Sequence, residues 1–198
     1  MKNFLIKNKK AFTLIELLIS ITIFSFVVVT AIGALYSAQN FSAKAQESQI
    51  VLDGLNFTME VISREIRYGS DFYCEVSSPS SYPPEQKSGT NDCASVDNPG
   101  HAIQFINNSN ESIVYYLKDN VIWKRDYSAG ITEQVTSSDI QIDKFNFYVN
   151  GSKPVSSNDY DQPRVTVIIS GQTNPNNDSV TPTKFWVQNT ITQRKLDN

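Results

Sequence analysis

Residues 12–35 are almost wholly apolar, and one carboxylate, Glu16, interrupts them. After Glu16 no charged residue occurs until Lys44. Such a run is long enough to cross a hydrocarbon core, which takes about 20 residues. An ionised group inside it costs roughly 2.5–3.5 kcal/mol on insertion scales, so Glu16 reads as functional and needs a partner. The residues before it, 1–11, carry Lys2, Lys7, Lys9 and Lys10 and no acid. Lysines stay on the cytoplasmic side, which sends the C-terminal bulk across the membrane. An ordinary secretory signal or uncleaved anchor is the competing reading. The apolar run is too long for a secretory signal, and Ser37-Ala38-Gln39 is a weak cleavage site through which helical periodicity continues. A plain anchor has no use for Glu16.

The stretch Lys9-Lys10-Ala11-Phe12-Thr13-Leu14-Ile15-Glu16 resembles the class III signal of type IV pilins and pseudopilins. The resemblance implies that a prepilin peptidase cuts between Ala11 and Phe12 and that the new Phe12 amine is N-methylated. Glu16 becomes the fifth mature residue. In apolar surroundings its carboxylate and a neighbouring subunit's α-amine neutralise each other, each penalising the other's absence, and so set the axial register. Two positions depart from the family pattern. Ala11 stands where Gly is usual, and Gly33 stands where many pilins have Pro; Gly is also helix-weakening, but less so. The implied partners are other pilin or pseudopilin subunits, prepilin peptidase, an assembly platform protein with its ATPase, and the inner membrane before assembly.

Beyond the apolar run, Ala38, Phe41, Ala45, Ser48, Leu52, Leu55, Met59, Ile62 and Ile66 alternate steps of three and four, one apolar stripe on a continuing helix. No proline occurs before Pro79. Glu60 and Arg64 are spaced i,i+4 in the favourable order. Arg64 and Arg67 fall in the last turn, where the macrodipole favours cations. Gly69 follows at the expected C′ position. A helix from Thr13 to Tyr68 would run about 80 Å at 1.5 Å per residue, its second half covered by its own domain.

Residues 69–100 read as a connector holding Pro79, Pro83, Pro84 and Pro99. Cys74 and Cys93 lie in this polar stretch, 18 residues apart in the intervening count. An extracytoplasmic setting favours a disulfide between them, worth about 3 kcal/mol in the chain-entropy model. Two unrelated thiols are the alternative that spacing leaves open. From Ala102 the pattern turns to strands at 102–106, 112–118, 121–127, 140–149, 165–169 and 185–191. Asp119-Asn120 forms a two-residue hairpin turn between the second and third, and a change of apolar phase between Ile142 and Phe145 predicts a bulge. With 11% aromatic residues and many β-branched ones, these runs predict an antiparallel sheet whose apolar face is covered by the helix stripe. The expected fold is α+β and pilin-like. The helix end at Arg64 and Arg67, the hairpin around Tyr115 and Lys124 and the strand at 140–149 also resemble minor pilins and the J-type minor pseudopilins of type II secretion.

Reactive constellations are sparse. His101 is the single histidine, expected at the start of a strand, so no His-based triad is persuasive. Two cysteines without CxxC spacing make structural zinc improbable. No P-loop or dinucleotide fingerprint occurs. Asp159, Asp161, Asn176, Asn177 and Asp178 could offer oxygens to calcium, but their spacing is irregular and a solvated loop is the stronger reading. Trp123 and Trp186 are expected to pack the sheet. The net charge of the chain is −3; without the four leader lysines it falls to about −7, which argues against a nucleic-acid-binding globular part.

The expected organisation is a leader at 1–11, a transmembrane and filament-core helix at 12–36, its amphipathic continuation at 37–68, and an extracytoplasmic β-rich domain at 69–198 with a loop at 69–101. The expected function is a structural, non-enzymatic minor pilin without cofactor, first single-pass in a bacterial inner membrane with a cytoplasmic N-terminus, then in a periplasmic or surface filament. A type II secretion minor pseudopilin is the near alternative, and an anchored binding or sensor domain that never polymerises is the distant one.

Overall fold

The computed structural model describes residues 12–137, 140–153, 161–173 and 182–194. Among the described residues the first element is a helix, α1 (Leu14–Tyr68), and every later one is a strand: β1 (Ser70–Glu75), β2 (Ala102–Ile106), β3 (Ser112–Lys118), β4 (Val121–Asp126), β5 (Ile131–Gln134), β6 (Ile140–Asn150), β7 (Arg164–Thr173) and β8 (Lys184–Thr192). This is an α+β, pilin-like arrangement of a long N-terminal helix followed by antiparallel sheets. The chain divides into two compact units, residues 1–46 and 47–198.

In the first unit α1 is uncovered. Its apolar side chains, from Phe12 through Tyr36, are exposed with few exceptions, and the helix is long and apolar enough to cross a membrane. Three of its hydroxyls bond back along the backbone: Ser20 Oγ donates to the Glu16 carbonyl at 2.7 Å, Thr22 Oγ1 to Leu18 at 2.7 Å and Thr30 Oγ1 to Val27 at 2.9 Å. Such i−3 and i−4 bonds let polar residues sit in lipid without an unpaired donor. The helix runs through Gly33 without a break.

In the second unit the strands form two sheets, ordered β1-β2-β3-β4-β5 and β6-β7-β8. Sequence reading expected one meander and took all of 69–101 as loop; β1 and β5 are the strands it missed. One apolar core joins the helix and both sheets. Val51, Leu55, Met59, Ile62 and Ile66 meet Phe72, Phe105, Tyr115, Ile122, Phe145, Phe147, Val167 and Ile169. The stripe is corrected at its upper end: Leu52 is 51% exposed and Phe41 73%, while Val51 is buried. Steps averaging 3.5 residues drift against 3.6 residues per turn, so the core face moves off Leu52 and onto Val51.

A polar bolt fastens the helix to β3 and β4. Lys124 Nζ stands 2.6 Å from Glu65 Oε1, and Tyr115 OH donates to Glu65 Oε2 at 2.8 Å. The expected Glu60–Arg64 pair forms at 2.8 Å with both side chains mostly exposed, which makes it worth at most a few tenths of a kcal/mol.

The turns follow local chemistry. Asp119 and Asn120 both take positive φ (52° and 62°) between Lys118 and Val121, which pair directly. This is the type I′ geometry that suits a two-residue hairpin. The β6 register slips between Ile142 and Lys144, the bulge the apolar phase predicted. Gly69 needs no left-handed backbone. It is required by space, since a Cβ there would stand 2.7 Å from Phe105 Cδ2 and 3.2 Å from the Glu65 carbonyl.

Cys74, on β1, and Cys93 are joined by a disulfide, and both are buried. The connector does more than close a loop. Cys93 N–H donates to Val149 of β6, and Gly100 exchanges two backbone bonds with Phe147. The bridge therefore ties an edge of the larger sheet to the segment that caps an edge of the smaller one. Gln104 mimics a strand partner for the connector, accepting from Lys87 N–H at 2.8 Å and donating to the Lys87 carbonyl at 2.7 Å. The Tyr82–Pro83 bond is cis.

Candidate processing and assembly site

The first helical residue is Leu14, so Thr13 is the N-cap and Glu16 is the third helical position. Thr13 N–H donates to Glu16 Oε2 at 3.0 Å, and Glu16 N–H donates to Thr13 Oγ1 at 3.3 Å. This is a reciprocal capping box, in which each side chain satisfies an orphan amide of the first turn. Thr13 Oγ1–H adds a third bond to the same carboxylate oxygen at 2.9 Å. A carboxylate in the first turn also meets the positive end of the helix dipole.

Glu16 thus has a role within its own chain that the sequence reading did not assign. The signal for it was present, because Thr-x-x-Glu ahead of an apolar run is the capping-box pattern. Thr13 is the functional residue missed. The box does not exhaust the carboxylate. All three bonds involve Thr13, the two that reach the carboxylate both end on Oε2, and Oε1 has no partner among the described residues. Phe12 is largely exposed beside it at the head of the helix. Ala11, the other half of the expected cleavage site, lies outside the described residues, as does the whole leader.

The remaining candidates separate by place. Cys74 and Cys93 are brought together in the second unit. His101 precedes β2 and donates its amide to the Glu75 carbonyl at 2.7 Å. Its side chain lines an open cleft of about 310 Å³ with Tyr82, Asp143, Lys144 and Asn146. Of the calcium candidates only Asp161 is described; Asp159, Asn176, Asn177 and Asp178 lie outside the described residues. Trp123 is half-buried against Ala102, Val114 and Tyr116, but Trp186 is 63% exposed and packs the sheet poorly.

Residues 6–32 match a family described as the prokaryotic N-terminal methylation motif. No curated protein and no solved structure matches the chain. The match spans both sides of the Ala11–Phe12 bond and includes the capping box. It supports a type IV pilin-like or pseudopilin precursor processed by prepilin peptidase, which implies interaction with that enzyme and with other pilin subunits. The uncovered apolar helix and the motif together are consistent with a membrane-anchored single-pass protein.

Proposed function

We propose that the chain is a minor pilin, a structural subunit of a bacterial type IV pilus-type filament that catalyses no reaction itself. The observation that carries this reading is a methylation motif whose carboxylate caps an otherwise uncovered apolar helix. Cleavage before Phe12 frees an α-amine for methylation. Glu16 Oε1, without a partner among the described residues, accepts an ammonium from a neighbouring subunit while Oε2 keeps the helix capped. The cytoplasmic N-terminus positions the precursor in the inner membrane, and a platform protein and ATPase then draw the helix out of lipid into the filament. The β-rich domain faces outward or caps the tip. The connector with its disulfide makes that surface long and loop-rich, which suits a rare subunit better than one that must tile a filament.

Capping and pairing are separable by mutation. Glu16→Gln keeps an acceptor for Thr13 but removes the charge, since Gln also serves in capping boxes. Thr13→Ala removes the cap and keeps the charge. Incorporation into filaments should fail for Glu16→Gln and survive for Thr13→Ala. Normal incorporation of Glu16→Gln would sink the pairing account. A type II secretion pseudopilin would carry the same signal and fold; deleting the assembly ATPase of each machine in turn and measuring extraction from the membrane distinguishes the two.

A further inference from the structure

Four strands end the two sheets: β1 and β5 in one, β6 and β8 in the other. An edge strand presents a row of unpaired N–H and C=O groups, and proteins shorten, cover or charge such rows. Three of the four edges are managed. Along β1, Asn91 donates to the Phe72 carbonyl and accepts from Cys74 N–H. Along β6, the connector caps Val149 and Phe147, and Asn120 caps Ile142 through its carbonyl and its side-chain amide. β5 is only four residues long.

β8 is the exception. It runs for nine residues, in unbroken register with β7 from Arg164↔Thr192 to Gln172↔Lys184. It contains no proline and no bulge. On the side away from β7, none of its backbone groups is hydrogen-bonded among the described residues. Its side chains are as incompletely covered as its backbone. Trp186 is exposed on the outer face, and Phe185 and Val187 are only half-buried on the face toward the core.

Charge selects among occupants. β7 and β8 carry no Asp or Glu. Arg164 and Lys184 lie on them and Arg194 just beyond, and none of the three is ion-paired among the described residues, in a chain whose net charge is −3. A second copy docked edge to edge would set this cationic strand against itself with no acid on β7 or β8 to offset it. A strand of opposite sign meets no such repulsion. We propose that β8 accepts an extended, part-apolar and acidic segment of a different polypeptide as the fourth strand of its sheet. Main-chain bonds supply the affinity in this mode, and alternate side chains supply the specificity. Apolar side chains at the middle of the segment would cover Trp186. An acid near one end would meet Lys184, and one near the other would meet Arg194, which lies past the end of β8 with its amide on the Arg67 carbonyl and its guanidinium donating to Tyr68 OH at 3.2 Å. The open edge is a property of the folded domain, so the proposal stands or falls separately from the filament reading.

The test uses the full chain in detergent micelles and two labelled synthetic peptides of about eleven residues, the span of such a strand. Both have alternating Val and Thr at the centre; one has Asp and Glu at its ends and the other Lys. Anisotropy measures binding, and hydrogen exchange read by mass spectrometry locates it. The acidic peptide should bind, slow exchange within 184–192 and leave β5 unchanged, while the lysine peptide should not bind. Lys184→Glu, at an exposed position, should weaken the acidic peptide about tenfold, as losing one favourable charge contact of about 1.4 kcal/mol would. Binding by neither peptide, equal binding by both, or protection outside β8 would overturn the proposal. So would a dimer protected at 184–192 without peptide in analytical ultracentrifugation and exchange, which would make a second copy the occupant.

Discussion

Replacing both cysteines, Cys74→Ala with Cys93→Ala, removes a covalent link between positions 19 apart in sequence. In the chain-entropy model a loop of that length restricts the unfolded ensemble by about 11 cal/mol/K, or about 3 kcal/mol at 25 °C. Native contacts of the connector do not reduce this figure. The bonds of Asn91, Cys93 and Gly100 to the sheets exist only in the folded state, whereas the link acts on the unfolded one. Alanine is preferred to serine because both sulfurs are buried against Phe147 and its neighbours, where an unpaired hydroxyl would add its own desolvation cost. Urea unfolding of the full chain in micelles, followed by tryptophan fluorescence, should show the midpoint falling by about 1.5 M if m is about 2 kcal/mol/M. The slope should change little, apart from any expansion of the unlinked unfolded state. A loss below about 1 kcal/mol would refute the reasoning. It would mean that the unfolded chain already keeps residues 74 and 93 close, or that strain in the native bridge cancels its entropic advantage.

Gly100→Ala should be more disruptive than an exposed glycine replacement such as Gly89→Ala, which meets open space but carries positive φ. A Cβ at 100 overlaps Cys74 Sγ and crowds Phe147, so overpacking of about 1–3 kcal/mol is expected, measurable as a drop in thermal midpoint with slower disulfide formation. Alkaline pH should destabilise the domain through three tyrosines whose hydroxyls burial pushes up, Tyr115, Tyr116 and Tyr127. Burial pushes the Tyr127 hydroxyl up to about 12, and burial beside Glu65 raises Tyr115 further. The folded state holds these protons more tightly than the unfolded state, so their contribution is complete below pH 10 and is lost as pH rises from 10 toward 12. Tyr127→Phe should flatten the fall in unfolding midpoint between pH 10 and 12 relative to the parent; an unchanged profile would count against it.

What the sequence disclosed was what is local. The helix, its membrane-length apolar half, the Asp119-Asn120 turn and the bulge before Phe145 depend on residues a few positions apart, and each was readable. The second sheet was not, because pairing β6 with β7 and excluding β5 from that sheet depends on partners far along the chain. β1 hid inside a Pro- and Ser-rich connector, where composition argues for loop although Phe72 and Cys74 alternate inward. β5 is exposed at every residue and has no apolar period to detect. Trp186 is expected by residue type to pack the sheet, and only topology shows that it stands at an open edge. At the N-terminus the sequence reading went from a lone carboxylate straight to a partner in another subunit, and passed over Thr13, three residues away.

The most direct test of the account is the mass of the intact protein and of its N-terminal peptide, isolated from cells with and without prepilin peptidase. The account predicts a chain beginning at N-methylated Phe12 when the peptidase is present and at Met1 when it is absent. A chain that begins at Met1 in both would contradict it and leave an anchored domain that never joins a filament.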